Sequence, residues 1–410
     1  MSEFLELLPV EDAQLIFKNS LKVKVKEEEI LTQNAVGRIT TDSIAAPHPL
    51  PSFTRSSVDG YALKASDAFG ASDALPAYLE LIGEISMGVK PDFSLTLAQC
   101  CLIHTGGMLP AGADAVIMLE NTQISRPGEI EVYRAVAFGE NVIQEGEDVK
   151  TSEIVVQEGT RLRPAEIGGL IALGIVRVKV ACKPRVAVIS SGDEIVSPES
   201  KIHSGKIRDT NSYSLSALVE EAGGIAVRYG IVPDDFDVLY QVASQAIAEC
   251  DLVVITAGSS ASARDFTSQV INKLGQPGVL VHGVNIKPGK PTILGICQGK
   301  AVVGLPGNPV SALIIARQFL VPVVNLLIGL REDYFQPFIY ARLTLNLSSQ
   351  AGREDWIPVY VEERKSELIA EPVFGKSNLI FTLARSNGLI CIPADTTGFN
   401  AGEIVKVYTF

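Results

Sequence analysis

The chain has 410 residues, 47% of them hydrophobic and 20% charged, a composition of folded chains too long for one ordinary core, so roughly two to four domains are expected. The formal charge of −12 excludes the broadly basic surface of a nucleic-acid binder. Six scattered cysteines with no C-x-x-C pair, and four histidines without metal-ligand spacing, exclude a disulfide framework and a thiolate zinc site.

The first residues carry acids rather than a basic stretch followed by an apolar one, so no signal peptide is read there and the cytoplasm is the expected compartment. Residues 1–45 read as mostly helical, with amphipathic segments at 10–13 onward and at 26–35, the second stopped by Gly37. The stretch Ala46-Pro47-His48-Pro49-Leu50-Pro51 breaks that pattern. From 52 to 138 short alternating strands, such as 78–85 and 130–134, sit among Gly and Pro turns and predict a small β-rich module. Segment 139–180 has spaced turns at Gly139, Gly146 and Gly159, then a helix over 164–173 with Pro164 at its first position.

From 183 strands alternate with helices: strands 186–189, 225–231, 252–255 and 301–303, helices 212–221, 236–249, 265–274 and 309–320. This predicts a doubly wound, three-layer α/β domain of about 145 residues, a usual domain size. The longest apolar stretch, 313–330, contains Arg317, Gln318, Pro322 and Asn325 and reads as a buried helix, not a membrane span. After 329, strands at 339–347, 356–361, 368–373, 388–392 and 404–408 predict a small β-barrel or sandwich. The expected division is 1–50 with 139–180, an inserted β-rich 51–138, an α/β domain 181–328 and a β-barrel 329–410.

Three glycine-rich loops follow β-branched runs of the α/β segment: Ser190-Ser191-Gly192-Asp193-Glu194, Ala257-Gly258-Ser259-Ser260 and Gly304-Leu305-Pro306-Gly307-Asn308-Pro309. Ligands of open α/β sheets bind beyond the carboxyl ends of such strands, where glycine admits close backbone approach and helix N-termini favour anions. Asn285-Ile286-Lys287-Pro288-Gly289-Lys290-Pro291 can turn two lysines toward one phosphate, and Thr105-Gly106-Gly107 adds backbone donors and a hydroxyl. Neither the G-x-x-x-x-G-K-[ST] loop nor a G-x-G-x-x-G after a strand is present, so the usual nucleotide folds are not supported. The acids read two ways. Asp59 beside Gly60 is a turn residue or a functional carboxylate, and 139–148, ending in Asp148, is a solvated acidic loop or a site for a hard cation such as magnesium. Glu194 and Asp265 each either cap a helical turn or hold a metal or ligand hydroxyl.

Taken in order, Pro51–Ala62 with Ser57-Val58-Asp59-Gly60-Tyr61, His104-Thr105-Gly106-Gly107-Met108-Leu109-Pro110, Gly146-Glu147-Asp148, Ser191-Gly192-Asp193-Glu194, Asp209-Thr210-Asn211, the lysine turn and the 304–311 loop resemble the molybdopterin molybdenumtransferase family, the MoeA proteins and the gephyrin E domain. The resemblance implies an elongated homodimer whose N-terminal region dimerises and whose site lies between subunits. It also implies a reaction in which molybdate and adenylylated molybdopterin give molybdenum cofactor and AMP, with magnesium. By motif, Asp59, Asp148, Glu194 and Asp265 fall on catalytic positions, with Glu194 and Asp265 toward the metal. Thr105, Gly258, Ser260, Lys287, Lys290, Pro306, Gly307, Asn308, Pro309 and Ser311 fall on substrate-binding ones. The loop departs from the family pattern at 257–264, where two glycines are replaced and Arg264 is added. Partners implied are small-molecule substrates, a second copy and the molybdopterin adenylyltransferase, with no nucleic acid or membrane. Three other readings compete: a non-catalytic scaffold, a nucleotide pyrophosphatase and tungstate insertion.

Overall fold

The computed structural model describes residues 6–257, 261–331 and 337–410, with the backbone alone at 261–265. Helix α1 (Val10–Ser20) buries Val10, Ala13 and Phe17, a stripe at helical spacing. The expected second helix at 26–35 is instead strand β1 (Glu27–Leu31) and a short 3-10 turn. The charges explain the difference: β1 runs antiparallel to residues 177–181, and Glu29 meets Arg177 at 3.5 Å while Glu27 meets Lys179 at 3.8 Å across the pair.

The β-rich module is one six-stranded sheet made of β2 (Gly60–Leu63), β3 (Ala77–Ile85), β4 (Gln99–Ile103), β5 (Ala115–Met118), β6 (Thr122–Arg126) and β7 (Glu129–Val132). Its order is β5-β2-β4-β3-β7-β6. Both faces are apolar, one around Leu63, Leu79 and Ile130, the other around Ile85, Ile103 and Val116. Gly60 is required there, because a Cβ would stand 2.0 Å from the Ile117 carbonyl oxygen. Helix α2 (Pro164–Ala172) opens on Pro164 and leads to β8 (Arg177–Ala181), the partner of β1.

The α/β region contains β9 (Arg185–Ser191), α3 (Asn211–Ala222), β10 (Ile225–Val232), α4 (Phe236–Glu249), β11 (Leu252–Ala257), α5 (Ala261–Leu274), β12 (Pro277–His282), β13 (Ile286–Lys287), β14 (Ile293–Cys297), β15 (Lys300–Pro306) and α6 (Pro309–Ile315). The sheet order is β10-β9-β11-β15-β14-β12. The first four strands are parallel, while β14 and β12 add an antiparallel edge that the strand–helix alternation does not announce. Alternate residues of β9 serve two layers: Val186 and Val188 face the core with Leu215 of α3, and Ala187 and Ile189 face the one with Leu239 of α4. The chain turns from β9 to β10 on one side and to β11 on the other, so the topological switch lies at the ends of β9 and β11.

The apolar stretch is indeed a mostly buried helix from Pro309 to Leu327, with a π turn at Ala316–Leu320. Pro322 has no N–H for the Gln318 carbonyl, and Gln14 of α1 donates to that oxygen instead at 3.0 Å. Beyond it, β16 (Phe338–Leu343), β17 (Glu354–Arg364), β18 (Glu367–Pro372), β19 (Gly388–Ile392) and β20 (Ile404–Thr409) close into a five-stranded barrel, because β17 pairs with both β18 and β19. Val359, Ile390 and Val407 fill it.

Candidate functional site

The end of β15 and the lysine turn face the barrel across a cleft of about 760 Å³. Two short pairings build it. Strand β13 runs parallel to the start of β17, matching Lys287 with Asp355. On the other side the Asn308 side chain donates to Ser377 Oγ at 3.0 Å, and the Val310 N–H donates to the Ser377 carbonyl at 3.1 Å. Asn211, at the start of α3, donates to the Gly307 carbonyl at 2.8 Å and fixes the loop from behind. Nearby Asp209 accepts from Ser190 Oγ, Ser212 Oγ and the Ser212 N–H, so this motif acid caps α3 and ties it to β9.

Gly289 shapes the lysine turn: its φ is +121°, and a Cβ there would come 2.3 Å from Ile315 Cγ1. The Thr292 hydroxyl donates to the Gly289 carbonyl at 2.7 Å and the Val284 N–H to the Lys290 carbonyl at 3.0 Å, which leaves both ammonium groups on the exposed side. Among the described residues, Lys287, Lys290 and Lys376 line the cleft with a single carboxylate, Asp355. In a chain with surplus acid, that local excess of cations creates an anion-attracting crevice. Its walls also include Trp356 and Phe374, apolar surface suited to a flat ring.

Of the residues named from the sequence, the structure brings Lys287, Lys290, Pro306, Gly307, Asn308 and Ser311 together on this cleft. Pro309 stands beside it as the first residue of α6. Asp59 and Thr105 meet each other in the β-rich module: the Thr105 N–H donates to Asp59 Oδ1 at 2.7 Å and its hydroxyl at 3.2 Å. These two bonds, the backbone one first, hold the Asp59 carboxyl below the usual carboxylate range. Neither residue lines the cleft. Asp148 is exposed in a turn whose backbone bonds to Leu50, again apart from the cleft. Glu194 lies just past β9, at the switch point, with its carbonyl accepting from the Ile207 N–H at 2.9 Å. Gly258 and Ser260 lie outside the described residues, as does the side chain of Asp265. Among the described residues no three His, Cys, Asp or Glu side chains gather as a metal centre.

The sequence reading missed the barrel's contribution: Asp355, Lys376 and Ser377, with Arg353 beside them. No spacing links these residues to the lysine turn. The sole signals were a charged Arg353-Glu354-Asp355 run entering a strand and a Gly375-Lys376-Ser377 turn.

Residues 8–174 match the MoeA N-terminal region (domain I and II), 187–326 the probable molybdopterin binding domain, and 340–410 the MoeA C-terminal region (domain IV). The chain is 32% identical to the molybdopterin molybdenumtransferase of Haemophilus influenzae, covering 98% of this chain and 99% of that protein. It is 31% identical to that of Staphylococcus epidermidis, over 94% and 91%. Among solved structures, a molybdopterin biosynthesis MoeA protein from Pyrococcus horikoshii superposes with a TM-score of 0.87 at 32% identity, covering 99% of this chain and all of that one.

Proposed function

This chain belongs to the MoeA family, and from that premise we propose that it is a molybdopterin molybdenumtransferase, joining molybdate to adenylylated molybdopterin with release of AMP. The observation that carries the reading is the cleft in which, among the described residues, three lysines outnumber one carboxylate beside the 304–309 loop. Both substrates are anions, and bringing them together requires their repulsion to be screened. Lys287 and Lys290 bind phosphate or molybdate, the 306–309 backbone and Ser311 hold the nucleotide portion, and Thr105 orients Asp59.

Magnesium fits the available donors in kind: it takes one or two hard carboxylates and completes its shell with substrate oxygens and water. Glu194 just past β9 and Asp265, beyond the neighbouring strand β11, would supply those carboxylates. The ion, when bound, neutralises phosphate charge. Glu194, Asp59 and Asp148 are all absent from the cleft lining; Glu194 stands at the end of the same α/β sheet, whereas Asp59 and Asp148 lie in the N-terminal regions, and we assign those two to the site of a second copy in a homodimer. The parts would then be 1–50 with 139–180 for dimerisation, 51–138 as the inserted module, 181–328 for the substrate and 329–410 closing the cleft. The compartment is the cytoplasm, and the molybdopterin adenylyltransferase is the partner that hands over the nucleotide.

The test is to incubate the pure protein with adenylylated molybdopterin and magnesium and follow AMP while molybdate and tungstate are titrated separately. AMP release that rises with molybdate is expected. Release without any oxyanion would instead make the protein a pyrophosphatase, and no release would leave a scaffold.

A further inference from the structure

Asp355 is 3% exposed and sits among the groups that attract anions. Arg353 grips it with Nε at 2.8 Å and Nη2 at 3.4 Å, and Lys287 Nζ lies 3.6 Å from Oδ2. The position is forced by the fold, since the β13–β17 pairing sets Asp355 directly across from Lys287. The lysine turn is also a partition: Lys287 and Lys290 border both the main cleft and a second cavity of about 360 Å³, which Arg353 lines from behind. The Arg353–Asp355 pair therefore joins the two cavities at the partition.

The three charged groups are unequally buried. The Asp355 side chain is 4% exposed, while those of Arg353 and Lys287 are 32% and 60% exposed. A buried carboxylate must have partners, whereas the two cations reach water without it. A small anion that enters must share these cations with a negative charge already in place, and the shared charge opposes it. We propose that Asp355 acts as an internal competitor for the oxyanion: it occupies Arg353 and Lys287 and so keeps the affinity for a lone anion low. This rests on the transferase reading solely for the choice of molybdate as the probe.

The experiment is calorimetric titration of the full-length protein with sodium molybdate, and separately with sodium sulfate, with no nucleotide present. Four proteins are compared: the parent, D355N, K287Q and the double variant. D355N is expected to bind molybdate at least about tenfold more tightly than the parent, K287Q more weakly, and the double variant about as the parent does. A carboxylate that served only to brace the fold predicts the opposite, weaker binding in D355N. Equal or weaker binding by folded D355N, or no binding by any of the four, overturns the proposal. Should D355N fail to fold, the double variant decides: binding tighter than that of K287Q supports the competitor, and binding no tighter overturns it. Because no turnover is measured, a failure of molybdate-dependent AMP release leaves this ordering intact, and the two readings fail separately.

Discussion

At the scale of single residues the site depends on a few side chains and one missing one. Lys290 is exposed and borders both cavities, so Lys290→Ala should change stability by less than about 0.5 kcal/mol. The same change should weaken nucleotide binding at least about tenfold, by loss of a charge-assisted contact. Thermal melts paired with binding isotherms check this, and a parallel loss of both would refute it. Gly289→Ala is the converse case. It must place a Cβ where φ is +121° and against Ile315 Cγ1 at 2.3 Å, so it should cost about 2–4 kcal/mol and displace both lysines. Denaturant midpoints measure that cost. For Asp59 the backbone and hydroxyl bonds from Thr105 lower the pKa. A carboxyl so depressed adds stability above its unfolded pKa and loses it as pH falls through the lower folded value. Thr105→Val removes one of the two donors, so the Asp59 titration followed by carboxyl NMR should move up toward the ordinary range without reaching it.

Elements were legible in the sequence where one period dominated. Unbroken apolar runs at 186–189 and 252–255, each followed by a glycine turn, identified β9 and β11, and the helices 236–249 and 164–173 carried Asp235 and Pro164 as start signals. Residues 26–35 misled because three consecutive glutamates look like a helical first turn; their partners, Arg177 and Lys179, are far along the chain. The antiparallel edge strands β12 and β14 were hidden for a similar reason, as only the pairing of β14 with β15 and of β12 with β14 defines them. The site followed the same rule: its lysine turn and 304–309 loop are local motifs, while Asp355 and Ser377 are placed by pairing across the cleft. A long-range bond of this kind also sustains the helix 309–327. Gln14→Ala should strand the Gln318 carbonyl and cost about 1–2 kcal/mol. The same change in a Pro322→Ala background, where the helix can make its own bond, should cost much less, a coupling that a double-mutant cycle of chemical unfolding will register.

At the scale of the whole molecule, the cleft brings together two regions, the α/β sheet end and the barrel, while Asp59 and Thr105 lie in another, the β-rich module. In the proposed homodimer Asp59 works on the cleft of the other chain, and two defective proteins can repair each other. Asp59→Asn and Lys290→Ala are each expected to lose nearly all molybdate-dependent AMP release. When the two are co-expressed in equal amounts, random pairing makes about half of the dimers hybrids. In a hybrid, one cleft combines the Lys290 of the Asp59→Asn chain with the intact Asp59 of its mate, and the other cleft lacks both. One functional site in a hybrid, and none in either parental dimer, gives about a quarter of the normal rate per chain. If Asp59 served the cleft of its own chain, every site in the mixture would lack one of the two groups and the rate would stay at the level of the single variants. A mixture that gains nothing, while sequential affinity capture through a different tag on each variant shows hybrids have formed, would therefore place Asp59 within its own subunit or outside the reaction altogether.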